Sequence, residues 1–121
     1  MPINRRIDTD PTLIFTILSG RVTDQELWSY YEPLIAQHAS GPWRELVDGT
    51  QVTDMMLTPA GLVRFAELVE ANLEKVRGGR VAMVATTDIT YGTFRMWELR
   101  REALDYEVRV FRDLALALAW L

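Results

Sequence analysis

Apolar positions along the chain fall into short runs separated by turn-forming residues. The clearest run is Val81–Thr86 (VAMVAT), entered through Gly78-Gly79 and hydrophobic on both faces. A strand of that kind sits inside a sheet, not at its edge. Ile3–Asp8 is mixed in polarity and reads as an edge strand, joined through Asp8-Thr9-Asp10-Pro11 to a second strand, Leu13–Leu18. So short a connection suits an antiparallel pair. Trp43–Val47 reads as a third strand ending at Asp48-Gly49, and Tyr106–Phe111 as the last.

Helical spacing follows most of these strands. Thr23-Asp24-Gln25-Glu26 has the form of a reciprocal capping box ahead of Leu27, Trp28, Tyr31, Leu34 and Ile35, with Pro33 predicting a kink or break. Thr58-Pro59 opens a second helix whose stripe runs Leu62, Phe65, Ala66, Val69, Leu73 and Val76 until Gly78-Gly79 ends it. A third helix is expected from about Thr93 to Leu104, with Phe94, Trp97 and Leu104 inward. A fourth, Leu114–Leu121, is capped by Asp113. The order predicts one α/β domain over residues 1–121: a mostly parallel five-stranded sheet with an antiparallel first strand and four helices.

Composition narrows the function. Hydrophobic residues make up 49%, charged residues 25%, and the net charge is −4, which opposes a broad nucleic-acid surface. No apolar run approaches a membrane span, and the first residues lack the apolar core of a signal peptide, so a cytoplasmic protein is expected. The absence of cysteine excludes disulfides, thiolate chemistry and cysteine–zinc sites. No phosphate-binding glycine loop is present. No cofactor or metal site is expected.

In open α/β sheets, sites lie beyond the C-terminal strand ends. The loops Ser19–Thr23, Asp48–Thr58 and Thr87–Thr93 carry many hydroxyls and carboxylates. The predicted ligand-binding residues are Asp48, Thr58, Asp88, Tyr91 and Arg95. Helix N-termini there suit an anion, with Arg95 as counter-charge, although Thr and Asp are also the preferred caps. His38, the single histidine, stands near a helix C-terminus, where the dipole favours it. Trp28, Tyr30 and Tyr31 are too close in sequence to share one inward face, which leaves one for a pocket or subunit interface.

The chain resembles the small bacterial SpoIIAA-like proteins, relatives of the STAS domains and of the CRAL-TRIO lipid-binding domains. The likeness rests on Gly20-Arg21-Val22-Thr23, Leu46-Val47-Asp48, Tyr91-Gly92 with Arg95-Met96, and Val110-Phe111-Arg112-Asp113 with Ala117 through Leu121. In phosphorylated antagonists of that kind, a helix opens with a phosphorylatable serine before Gly-Leu. Here Pro59-Ala60 precede Gly61-Leu62, and Thr58 is the nearest hydroxyl. The resemblance implies a non-enzymatic binding or regulatory interaction domain for an apolar, lipid-like ligand or a protein partner. A homodimer is expected, formed through a sheet face or helix left uncovered within one subunit, and helix N-termini with aromatic walls suit a small anionic or amphipathic ligand. The alternative is a small hydrolase or isomerase using Asp48 or Asp88 with Tyr91 or Arg95. That would require one of those carboxylates to be buried with a raised pKa. A third reading makes Thr58 a phosphoacceptor.

Overall fold

In the computed structural model, which describes residues 2–6, 10, 12–38, 42–100 and 105–121, the strands lie side by side in chain order. They are β1 (Ile3–Arg6), β2 (Ile14–Thr23), β3 (Arg44–Met56), β4 (Arg80–Val84) and β5 (Glu107–Phe111). β1 runs antiparallel to β2, and every later pair is parallel. The helices are α1 (Asp24–Gln37), α2 (Pro59–Ala71), α3 (Leu73–Val76), α4 (Asp88–Arg100) and α5 (Leu114–Trp120). The predicted sheet is therefore present. Expectations placed on residues 7–9, on Pro11, on residues 39–41 and on Leu104 lie outside the described residues.

Among the described residues, five helices stand where four were expected. Asn72 turns its side chain back, Nδ2 donating to Leu68 O at 2.9 Å, and its backbone leaves helical geometry. The apolar stripe therefore continues through Leu73 and Val76 on a separate turn. Lys75 on that turn donates to the last carbonyls of α1, Ile35 O and Ala36 O, at 3.0 Å each. α1 itself continues through Pro33 without a break. α4 begins at Asp88 rather than Thr93, because the Thr87 hydroxyl accepts the Thr90 N–H at 3.3 Å and starts the helix early.

The larger correction concerns two of the loops. β2 extends to Thr23 and β3 to Met56, so Ser19–Thr23 and most of Asp48–Thr58 are strand, not loop. Position 48 is level with Val84, the last paired residue of β4, and beyond it β3 pairs with β2 alone. Register shifts between Ile17 and Ser19 and between Gly20 and Arg21 carry the pair past this point. Gly20 sits at φ 65°, which suits glycine.

The two sheet faces are covered unequally. Ile14, Leu18, Val47, Val81, Val108 and Val110 face α1 to α4 in the main core. Alternate residues Phe15, Leu46, Ala82 and Val84 face α5, of which only Ala117 is fully buried. Strand order never reverses, so the crossover helices all lie on one face. No crevice forms between oppositely wound halves of the sheet, the usual ligand position in doubly wound folds.

Candidate functional site

Alternation along β3 points Leu46 toward α5 and both Glu45 and Val47 toward α1 to α4. Glu45 thus enters the main core, where it is 3% exposed. Thr16 Oγ1 donates to Glu45 Oε2 at 2.6 Å, and the Tyr31 hydroxyl donates to the same oxygen at 2.7 Å. Trp43 Nε1 donates to Oε1 at 3.1 Å. Thr16 has spent its proton on Glu45, so at 2.7 Å it accepts from Tyr30. No ion pair reaches Glu45 among the described residues. Burial pushes its carboxyl above the usual range, while the bonds from Thr16, Tyr31 and Trp43 and the charge of Arg5 pull it back down in part. Burial, with the Glu45 charge beside it, also lifts Tyr31 well above an ordinary phenol and Tyr30 to about 12.

This carboxyl borders a cavity between the sheet and the helices. Its walls include Leu27, Phe65, Val69, Phe94 and Trp97, and among the described residues Glu45 is the one charged residue lining it. About 50 Å³ is open to the centres of water-sized groups. At roughly 10–15 Å³ for each, that holds about four such groups. A long acyl chain does not fit unless the helices part.

The predicted site residues do not form one cluster. Asp48 is buried within β3, and its Oδ1 accepts the Thr50 N–H at 2.9 Å and the Thr50 hydroxyl at 2.7 Å. Thr58 caps α2, its hydroxyl accepting the Gly61 N–H at 3.0 Å, and is tied to Asp24 of α1. Asp88, Tyr91 and Arg95 share one side of α4, where Arg112 from the end of β5 joins them. Arg112 Nη2 meets Asp88 Oδ1 at 2.9 Å and lies 4.2 Å from the Tyr91 ring centre. Arg95 pairs with Glu98, whose other oxygen accepts the Val110 N–H of edge strand β5 at 3.0 Å. Arg95 and Arg112 therefore already face carboxylates. Asp88 is almost fully exposed, and neither it nor Asp48 lines the cavity. Tyr31 is buried, whereas Tyr30 and Trp28 are only partly so; Trp28 stacks under Arg64 at 4.0 Å.

No family model matches the chain, and no curated protein matches it. A solved structure does: an uncharacterised DUF3478-family protein with a SpoIIAA-like fold from Shewanella loihica PV-4. It aligns with a TM-score of 0.62 over 98% of this chain and 91% of its own, at 18% sequence identity. The fold is SpoIIAA-like.

Within this SpoIIAA-like fold the buried acid was the residue that sequence reasoning missed. Its signal was available: in Trp43–Val47, Glu45 has the same parity as Val47, in a strand both of whose faces had to be covered. A carboxylate at an inward position of a central strand needs donors, and Trp43 two residues away is one. Thr16, Tyr30 and Tyr31 could be added only once β2 and α1 were placed against β3. Among the described residues no group of three or more acidic or histidine side chains could hold a metal ion, and no helix is long and apolar enough to cross a membrane.

Proposed function

We propose that this SpoIIAA-like domain is a cytoplasmic, non-enzymatic binding module that takes a small amphipathic molecule between its sheet and helices α1 to α4. The observation carrying this reading is the apolar cavity with a single hydrogen-bonding acid on its wall. Such a combination, an apolar pocket with few convergent polar groups, is the usual form of a ligand site. The volume favours a compact ligand over a lipid chain. Native mass spectrometry of gently purified protein, together with xenon binding followed by NMR, tests the reading. A retained small molecule or saturable xenon shifts at residues such as Leu27, Val69 and Phe94 are expected. No retained ligand and no xenon response would sink it.

A second copy of the chain is the proposed partner, and α5 supports that choice. The helix LALALAW is apolar all round, yet Leu116 is 63% exposed and Leu114 and Leu118 are exposed beside it. Helices apolar on every side are normally covered, and exposed apolar patches mark association surfaces. The enzymatic alternative through Asp48 or Asp88 has less to support it, since one is held by Thr50 and the other lies in solvent.

A further inference from the structure

We infer that the Glu45 end of the cavity selects a small organic cation, a short-chain amine whose ammonium group meets Glu45 Oε1 and whose apolar tail fills the space toward Phe65 and Trp97. This rests on the binding-module reading above and names the ligand's chemistry. The first support is hydrogen-bond geometry. Among the described residues, Oε2 accepts two hydroxyl donors, from Thr16 and Tyr31, whereas Oε1 accepts only the indole N–H of Trp43. Each carboxylate oxygen has two lone pairs. Oε1 therefore keeps one acceptor position, on a side chain that borders the cavity.

The second support is charge. All three groups bonded to Glu45 are neutral donors, and Arg5 lowers its pKa from a distance without forming an ion pair. A buried carboxylate without a cation is costly, and a ligand cation relieves that cost directly. An anionic ligand would instead confront it. The third support is the wall itself. Tyr31, Trp43, Phe65, Phe94, Trp97 and Tyr106 surround the space, and aromatic faces attract organic cations. An alkylammonium ion of about five heavy atoms in all, at roughly 10 Å³ for each, reaches the upper limit of that volume and suits this lining.

The test compares n-butylammonium, 1-butanol and pentanoate, which share a butyl tail and differ in the head group. Calorimetry and thermal shift on the full chain should show butylammonium binding about tenfold more tightly than 1-butanol, with pentanoate weakest. In Glu45→Gln the preference for the amine should vanish while 1-butanol still binds. Should that variant fail to fold, the wild type supplies a second readout. Titration of Glu45 by carbon-detected NMR should show its pKa falling when butylammonium binds, and butylammonium binding in two buffers of different ionisation enthalpy should show proton release at acidic pH. Binding of 1-butanol as tightly as the amine, or an unmoved Glu45 titration, would overturn the cation assignment and leave the binding-module reading intact. If none of the three probes binds, both fail.

Discussion

Thr58 grips the Asp24 carboxylate with two donors, its N–H reaching Oδ1 at 2.9 Å and its hydroxyl reaching Oδ2 at 2.6 Å. Asp24 is the first residue of α1 and Thr58 the N-cap of α2, so one carboxylate sits at two helix N-termini, where negative charge is favoured. The hydroxyl meanwhile accepts from Gly61. Thr58 is thus fully engaged as a structural joint, which bears on its proposed role as a phosphoacceptor. A phosphate would remove the donated proton and bring two negative charges against Asp24. Thr58→Ala should lower stability by about 1–2 kcal/mol in urea unfolding. Thr58→Glu should lower it further, and Asp24→Asn should recover part of the difference between Ala and Glu. A Thr58→Glu protein as stable as wild type would show that the joint tolerates a charge there.

Gly61 makes the same joint testable from the opposite side. A glycine inside a helix normally gives up about 0.5–1 kcal/mol relative to alanine. Here a Cβ on Gly61 would overlap the Asp24 carboxylate. Gly61→Ala should therefore destabilise the native protein, but stabilise an Asp24→Ala background by roughly the propensity difference. A double-mutant cycle by chemical denaturation reads this sign change. Additive effects would mean that the side chain of Asp24 swings away at little cost.

What the residue pattern revealed and what it concealed divide along physical lines. Val81, Ala82, Val84, Tyr31, Ile35 and, in the stripe, Leu62, Phe65, Val69 and Val76 are buried where their periodicity put them, with Met83, Ala66 and Leu73 half-buried beside them, because burial against a sheet imposes that period. The prolonged ends of β2 and β3 carry no such mark. Beyond the other strands, Gln51 and Asp54 pair with β2 and Thr53 falls at a register shift; all three are exposed, and only Val52 and Met55 of this stretch reach the main core, so it reads as a polar loop. The separation of Thr58 from Asp48 follows from that error, since β3 carries the chain onward from Asp48 instead of turning there. Glu45 was hidden for another reason: two of its three partners come from β2 and α1, at sequence separations of 29 and 14 residues.

Lys75 offers a further contact invisible in the pattern. The last turn of α1 contains no basic residue, and Lys75 of α3 supplies the missing charge to Ile35 O and Ala36 O. Cations at a helix C-terminus are worth about 0.3–1 kcal/mol at exposed sites. Lys75→Met should cost that much and should increase hydrogen exchange in the last turn of α1 while leaving its first turn unchanged. Uniform exchange along α1 would argue that the ammonium group contributes nothing there.

The α5 surface predicts self-association without a change in the fold. Leu116→Glu places a charge on a side chain that is mostly exposed within one chain, so monomer stability should move by no more than about 0.5 kcal/mol. Sedimentation velocity should find the wild type dimeric and Leu116→Glu monomeric, with matching circular dichroism. A wild type that sediments as a monomer across the accessible concentration range would remove α5 as a dimer surface.

Glu45 sets a pH dependence whose sign is fixed by its burial. Its folded pKa lies above the ordinary value of 4.5, so the folded chain holds the proton more tightly than the unfolded chain does. The associated stability is present in full below the unfolded pKa and is lost as pH rises through the folded one. Denaturation midpoints of wild type should fall across that window on alkalinisation, relative to Glu45→Gln, which cannot titrate. Tyr31→Phe removes a donor that favours the carboxylate. It should push the loss to higher pH, and above that range it should cost about 1.5–3 kcal/mol, the usual worth of a hydrogen bond to a charged group. Phe at this position keeps the packing of the ring on Phe65, so the effect isolates the hydroxyl. Parallel pH profiles for wild type and Glu45→Gln would mean that Glu45 is solvated in solution, and the buried-acid account of the cavity would then have to be abandoned.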